Sequence, residues 1–196
     1  MNNKRLIAIT GGIGSGKSVI SSILRINGYL VYDCDAEAKR LMNTSLEIKN
    51  DLVHAFGSEC IAENNQINSK YLSAIVFSEK NALLKINTIV HPRVKEDIIR
   101  RFECCEQSVM FIETAILLQS NLLDIVSGVW VVTAPEEVRI ARVMNRNNMN
   151  RNDVKRRIEA QKGQDYSILN CCRNIVNDDK LAILPQVDIL LGELGL

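Results

Sequence analysis

The strongest constraint on this chain lies near its start, where residues 11–18 read Gly-Gly-Ile-Gly-Ser-Gly-Lys-Ser and fit the pattern G-x-x-x-x-G-K-[ST]. The apolar run at residues 6–10 predicts a buried strand before this segment, and apolar residues at helical spacing up to Asn27 predict a helix after it. A glycine-rich loop between a strand and a helix can direct its N–H groups at an anion, beside the positive end of the helix dipole. We therefore predict a phosphate-binding loop.

The loop predicts binding of a nucleoside triphosphate together with Mg²⁺. Its glycines allow positive φ angles and a close approach of the backbone to the phosphates. Lys17 is expected to reach the β- and γ-phosphates, and the hydroxyl of Ser18 is expected to bind Mg²⁺. The predicted nucleotide-binding residues of the loop are Gly12, Ile13, Gly14, Ser15, Gly16, Lys17 and Ser18.

A second strand is predicted at residues 29–33; it ends at Asp33, and a second carboxylate, Asp35, follows two residues later. The carboxyl ends of parallel strands share one edge of a sheet, so both carboxylates are expected on the loop's side. Strand alternation would direct Asp33 and Asp35 to one face and Cys34 to the other. A carboxylate there can accept the proton of an attacking hydroxyl, and Asp33 is the candidate base. Asp35 either contacts the substrate or caps the helix that follows.

Short apolar runs that alternate with helical patterns predict an α/β fold of the P-loop NTPase type. Further strands are predicted at residues 109–114, 129–133 and 174–176. With the two strands near the start, they make a parallel five-stranded sheet with helices on both faces. A closing helix is predicted at residues 185–194.

The stretch between the second and third strands, residues 36–102, reads as mostly helical and is too long for a simple crossover. Breaks are predicted at residues 43–44, 64–65 and 91–92. We therefore predict a nucleotide-binding core at residues 1–35 and 105–196, and a largely helical substrate-binding insertion at residues 36–104.

Three arginines, Arg139, Arg142 and Arg146, lie in a predicted helix after the fourth strand, and a polar break at residues 147–152 follows it. Arg142 and Arg146 are four residues apart and share a helix face. Arginines on a closing lid can neutralise charge on a phosphoryl group in transfer, whereas arginines elsewhere usually form a solvated face. We predict a small lid at about residues 136–160.

Composition excludes several classes of protein. The chain has 196 residues, a net charge of +1 and no basic stretch interleaved with aromatic residues, which argues against a nucleic-acid partner. No apolar run approaches the ~20 residues of a membrane span, and the start of the chain lacks the pattern of a signal peptide. The six cysteines contain no C-x-x-C pair, which favours reduced thiols. We expect a cytoplasmic protein without membrane or nucleic-acid partners, as a monomer or a weak oligomer.

Taken together, the motifs resemble those of the dephospho-coenzyme A kinase family, and the resemblance covers nearly the whole chain in order. The loop is shared by many families, but its combination with the later motifs is far more specific. The matching segments are residues 10–18, Asp33-Cys34-Asp35, Phe56-Gly57, residues 72–77, His91-Pro92, residues 129–132, Arg142 with Arg146, Arg157-Ile158 with Gln161, and Asn177.

The resemblance implies that ATP phosphorylates the ribose 3′-hydroxyl of dephospho-coenzyme A, which gives coenzyme A and ADP. It implies a nucleotide core, a helical substrate domain and a lid. Asp33 is the implied base and Arg142 is implied as a catalytic contact on the lid, while Lys17 is a catalytic candidate because of its position in the loop. Arg146 and Asn177 are implied to bind ATP, the latter near adenine. Asp33, Asp35 and His91 are implied on the substrate side.

Four positions depart from the family pattern. Ala115 stands where the family often has proline, and Gln119 where it often has an acid. Ser69 stands where the family often has arginine, and Asp179 where it often has glycine. These departures bear on the substrate contacts and leave the loop and Asp33 unchanged.

Two alternative functions follow from the same loop. Another kinase of this fold would act on a nucleoside monophosphate, shikimate or a sugar acid, because the insertion selects the acceptor. A nucleotide-dependent switch or transporter is the other alternative. The chain lacks the Asn-Lys-x-Asp motif of GTPases and the Leu-Ser-Gly-Gly-Gln signature of transport ATPases, which argues against it.

Overall fold

The structure, a computed structural model, describes residues 4–79, 81–161, 166 and 171–196. The chain divides into two compact units. The first unit comprises Met1–Tyr32 and Cys105–Leu196, and the second unit comprises Asp33–Cys104. Within the described ranges, every helix is too short or too polar to cross a lipid bilayer.

A five-stranded parallel sheet organises the first unit and confirms the predicted α/β fold. Its strands are β1 (Arg5–Thr10), β2 (Val31–Asp33), β3 (Val109–Glu113), β4 (Gly128–Thr133) and β5 (Cys172–Val176). The strand order is β2-β3-β1-β4-β5, so β1 lies at the centre. Ile9 of β1 pairs with Glu113 of β3, and Thr10 pairs with Val131 of β4, which brings the carboxyl ends of three strands to one edge.

Eight α-helices complete the described secondary structure, together with two short 3₁₀ turns. The first unit contains α1 (Lys17–Ile26), α6 (Glu136–Asn147), α7 (Arg151–Ala160) and α8 (Ile183–Glu193). The second unit contains α2 (Cys34–Thr44), α3 (Leu46–Phe56), α4 (Ser69–Ser78) and α5 (Ala82–Cys104). The 3₁₀ turns are Ser58–Cys60 and Leu117–Gln119.

The core of the first unit explains why β1 and β3 read as continuous apolar runs. Consecutive residues of both strands are buried, so both faces of the sheet are covered. On one face, Ile20 and Leu24 of α1 pack with Phe111, Trp130 and the apolar side of α8. The rings of Phe111 and Trp130 lie 5.1 Å apart, and this apolar packing holds α1 behind the carboxyl end of β1.

The predicted break at residues 91–92 is wrong, because α5 continues through His91 and Pro92. Proline inside a helix costs about 3 kcal/mol, since it removes one backbone hydrogen bond and crowds the preceding turn. Val90, Val94 and Ile98 are buried along the same helix, and each buried aliphatic side chain stabilises the fold by about 1.5–3 kcal/mol. The free energy gained by burying these side chains therefore outweighs the cost of a proline inside the helix.

The predicted helix cap at Asp35 is also wrong. Helix α2 begins at Cys34, and its N-cap is Asp33, whose Oδ1 accepts a hydrogen bond of 3.0 Å from the backbone N–H of Ala36. Strand alternation ends at Asp33, so it does not set the directions of Cys34 and Asp35. Cys34 is buried, whereas Asp35 is exposed in the first turn of the helix.

A buried carboxylate joins α2 to α5 in the second unit. Asp97 is only 4% exposed, and its Oδ2 lies 3.0 Å from Arg40 Nη2 and 3.3 Å from Arg101 Nε. Arg100 pairs with the other oxygen, Oδ1. Arg101 also lies 2.7 Å from Glu37, so charges of both signs alternate through the cluster. Such a carboxylate is tolerated because several guanidinium groups replace its hydration.

We predict that Asp97→Asn lowers the free energy of unfolding by about 1–3 kcal/mol, because it leaves three arginines without their shared carboxylate. Arg40 and Arg101 are partly exposed, so water recovers some of the loss. Thermal and urea unfolding of the whole chain measure the effect. The matched control is Glu47→Gln, which removes an exposed partner of Arg93 and should change stability by less than about 0.5 kcal/mol. Equal effects of the two variants would contradict this account of the cluster.

Candidate nucleotide-binding site

The phosphate loop connects β1 directly to α1, and it leaves the start of that helix open. The backbone N–H of Ser15 donates to the carbonyl of Gly12 at 3.1 Å, which closes the turn. The N-cap of α1 is Gly16, and no side chain among the described residues caps the helix. The first turn of α1 also carries no acidic residue. The positive end of the helix is therefore available for an anion.

Lys17, the first residue of α1, folds its side chain over the beginning of the loop. Its Nζ donates to the carbonyl oxygens of Gly11 at 2.8 Å and Gly12 at 3.5 Å. Ser18 follows and is exposed. A phosphate oxygen offers the ammonium a stronger, charge-assisted partner than a carbonyl does. The arrangement suits Lys17 to exchange its carbonyl contacts for a triphosphate.

Asn177, directly after β5, fastens the loop to the sheet. It is 6% exposed, its backbone N–H donates to the carbonyl of Thr133 at 2.8 Å, and its Nδ2 donates to the carbonyl of Ser15 at 2.9 Å. Its Oδ1 accepts from Arg142 Nη2 at 2.9 Å. The structure thus brings Asn177 and Arg142 to the loop, from which each is more than 120 residues away in the sequence.

Arg142 projects from α6 toward the outer side of the loop. Its Nη1 lies 3.4 Å from the carbonyl oxygens of both Gly14 and Ser15. The guanidinium also pairs with Asp179, a non-glycine residue at φ 65°. Asp179 is exposed, and its ion pair with Arg142 therefore draws the guanidinium toward the solvent-facing edge of the site.

Two further side chains contact the loop. The sequence indicated Arg139 only as one arginine of the predicted lid helix and Gln161 only as part of a family motif, and it predicted no contact of either with the loop. Arg139 Nε donates to the carbonyl of Ile13 at 2.8 Å, and Gln161 Oε1 accepts from the N–H of Ile13 at 2.7 Å. Burial lowers the pKa of the Arg139 guanidinium, while nearby Glu136 opposes this effect. Gln161 belonged to a recognised motif, but only tertiary structure shows that it contacts the loop.

A cavity of about 270 Å³ lies beside the loop, against the carboxyl end of β4 and the start of α6. Tyr166 contributes a hydroxyl that lies 3.1 Å from Thr10 Oγ1, and burial raises the pKa of the phenol. Ser15 also lines the cavity, and its buried Oγ has no hydrogen-bond partner among the described residues. The cavity is polar where it meets the loop, as a site for a hydrated or charged ligand requires.

The other predicted site residues are placed differently. Arg146 is exposed, and its Nε donates to neighbouring Asn147 at 2.8 Å; in the described part of the chain it makes no hydrogen bond to the loop. Asp33, Asp35 and His91 belong to the second unit. His91 is partly buried in α5, and burial lowers the pKa of its imidazole, which favours the neutral form at physiological pH.

Ser18 and Glu113 offer the oxygen ligands that Mg²⁺ prefers. Ser18 lies in the first turn of α1, and Glu113 ends β3 opposite Ile9, next to the strand that leads into the loop. Within the described ranges, no group of three or more His, Cys, Asp or Glu side chains forms a metal-binding cluster. The donor set therefore fits an ion that keeps waters and phosphate oxygens as most of its ligands.

Comparison with known proteins agrees with the motifs. A family model described as dephospho-CoA kinase matches residues 5–182. A dephospho-CoA kinase of Porphyromonas gingivalis is 35% identical over 189 residues, which cover 92% of this chain and 93% of that protein. The crystal structure of TT1252 from Thermus thermophilus matches with a TM-score of 0.78 at 28% identity, over 98% of this chain and 96% of that chain. A dephospho-CoA kinase from Campylobacter jejuni shares the fold, with a TM-score of 0.68 at 22% identity over 97% and 96%.

We predict that Gly16→Ala weakens nucleotide binding by about tenfold or more. Gly16 has φ 96°, and an added Cβ would lie 2.0 Å from Asn177 Nδ2. Asn177 is buried, so moving it breaks its bonds to Ser15 and Arg142 and leaves polar groups unpaired, at about 1–3 kcal/mol each. Calorimetric titration with ATP measures the loss.

Gly28→Ala is the matched control for that variant. Gly28 also has a positive φ, 86°, but an added Cβ would meet no atom within 4 Å. This variant should lose about 1 kcal/mol of stability from backbone strain and keep the affinity for ATP. If both variants bind ATP like the wild type, the loop does not depend on its contact with Asn177.

Proposed function

Because the chain belongs to the dephospho-coenzyme A kinase family, we propose that it transfers the γ-phosphoryl group of ATP to the ribose 3′-hydroxyl of dephospho-coenzyme A. The family that the motifs indicated is thereby confirmed. The observation that carries the proposal within the structure is the open start of α1, with Lys17 and Arg142 at the same loop. This is the arrangement that a triphosphate requires.

In this proposal the first unit binds ATP through backbone N–H groups of residues 12–18 other than those of Ile13 and Ser15, which donate to Gln161 Oε1 and to the carbonyl of Gly12. Lys17 and Arg142 stabilise the negative charge that develops during transfer, with Arg146 as a second cation from the same helix. Asn177 supports the nucleotide site by holding Ser15 and Arg142 in place. Ser18 and Glu113 would help to hold Mg²⁺, which would neutralise part of the phosphate charge when bound.

Asp33 is the proposed base or orienting group for the acceptor hydroxyl. Its Oδ1 caps α2, which fixes the carboxylate and leaves Oδ2 for a hydrogen bond from substrate. Asp35 and His91 are proposed substrate-binding residues of the second unit. A neutral His91 imidazole can donate one hydrogen bond and accept another, which suits polar recognition without charge.

The proposed compartment is the cytoplasm, and the proposed state is a monomer or a weak oligomer. None of the six cysteines, all of which are described, is in a disulfide. Cys34, Cys60 and Cys105 are buried as thiols, which suits a reducing compartment.

The test of the function is ADP release with dephospho-coenzyme A as acceptor, with and without Mg²⁺, and with coenzyme A identified by mass spectrometry. The expected result is Mg²⁺-dependent formation of equal amounts of ADP and coenzyme A. Shikimate, gluconate and nucleoside monophosphates are the comparison acceptors. Transfer to one of these and none to dephospho-coenzyme A would reject the proposal. Lys17→Ala is the negative control, and it should lose about 10²–10³-fold in kcat.

We predict that Asp33→Asn lowers kcat by about 10²-fold or more and leaves the affinity for ATP nearly unchanged. Asparagine caps helices as well as aspartate does, so α2 should persist and the change isolates the lost charge. Asp33→Ala removes both the charge and the cap, and its additional loss of stability measures the cap. Steady-state kinetics with thermal unfolding separates the two effects. An effect of Asp33→Asn on KM alone would assign Asp33 to binding.

A further inference from the structure

One residue of the phosphate loop, Ile13, contacts the hairpin of α6 and α7 through its backbone N–H, its carbonyl oxygen and its side chain. Its N–H donates to Gln161 Oε1 at 2.7 Å, directly after α7. Its carbonyl accepts from Arg139 Nε of α6 at 2.8 Å. Its side chain packs on the apolar seam between the two helices, which is formed by Ile140, Val143, Val154 and Ile158.

These contacts matter because the loop contributes little apolar packing of its own. Asn177 holds the later part of the loop through Ser15, whereas Arg139 and Gln161 hold its earlier part through Ile13. Among residues 11–18, isoleucine is the one apolar side chain, and four of the eight residues are glycines. Ordering a residue of flexible backbone costs about 1–2 kcal/mol, and glycine costs the most. If the loop is already ordered before ATP binds, this entropic cost does not weaken the affinity for ATP.

Arg139 contributes packing as well as a hydrogen bond. An added Cβ on Gly12 would lie 2.3 Å from Arg139 Nη2, so the guanidinium rests against the backbone of Gly12. The same side chain therefore supports two successive loop residues, Gly12 and Ile13. Tyr166 adds a contact to Thr10, immediately before the loop.

We propose that Arg139 and Gln161 are positioning residues for phosphoryl transfer, which act through Ile13 to hold the loop ready for the triphosphate. This inference rests on the proposed use of the loop for ATP. The two side chains come from either end of the α6–α7 hairpin, so the shape of the loop depends on the shape of the hairpin. Neither side chain needs to touch a phosphate to have this effect.

The test is a double-mutant cycle with Gln161→Met and Arg139→Met, which remove the two polar contacts and keep side-chain bulk. Each single variant should raise the Kd and KM for ATP by about three- to tenfold, the effect of one lost hydrogen bond. The kcat at saturating ATP should stay within about threefold, because bound ATP itself orders the loop. The double variant should lose clearly less than the product of the two single effects, because both side chains act through Ile13.

Arg151→Met is the matched control, since Arg151 joins the same two helices through Glu137 and has no contact with the loop among the described residues. It should change the Kd for ATP by less than about twofold. Thermal unfolding of every variant separates positioning from stability. Unchanged affinity with a lowered melting temperature would overturn the inference, as would fully multiplicative effects of the two substitutions, which indicate independent contacts with ATP.

Binding of ATP is measured without an acceptor, so failure of the proposed function can be recognised separately. A wild-type protein that binds ATP but does not phosphorylate dephospho-coenzyme A would reject the function and leave the cycle interpretable. A wild-type protein that does not bind ATP would overturn both.

Discussion

The arrangement of the nucleotide site depends on the positive end of α1, which no described side chain caps. A helix start carries N–H groups without intrahelical partners, and leaving them for a ligand places a partial positive charge in a fixed direction. The sheet must hold that helix in a fixed position, because the partial charge at its start stabilises a bound anion only if the helix does not move relative to the binding site. The buried faces of β1 and β3, with Ile20 and Leu24 of α1 packed on the same core, provide this support.

The side chains around the start of α1 fall into two groups. Some hold the loop in place, and others are suited to contact phosphates. Asn177 holds the loop from the β5 side, and Arg139 with Gln161 holds it from the hairpin. Lys17 and Arg142 donate to carbonyl oxygens of the loop, and both are cations that can bind a phosphate. Arg142 is further restrained by its ion pair with Asp179. A phosphate that binds Arg142 would have to compete with this ion pair.

Local patterns predicted the elements of the first unit well, because β1 and β3 are buried on both faces and α1 and α6 are amphipathic. The loop after β1 and the strand at β5 were both found in this way. The same reasoning failed at Pro92, where burial of Val90 and Val94 outweighs a local cost, and at Asp35, where one residue decides the cap. The site was predicted in part. Resemblance indicated Asn177 and Arg142, but no spacing or periodicity indicated Arg139 or Gln161, whose role depends on contacts made across more than 120 residues.

The sequence by itself determined the binding chemistry at the start of the chain. Glycines, a lysine and a hydroxyl in one short segment are local, and their backbone freedom and charge do not depend on the rest of the fold. Tertiary structure alone decided which distant groups complete that segment. Asn177, Arg139 and Gln161 reach the loop because the sheet order places β4 and β5 on one side of β1, and hydrogen bonds of 2.7–2.9 Å require three-dimensional placement that no linear pattern encodes.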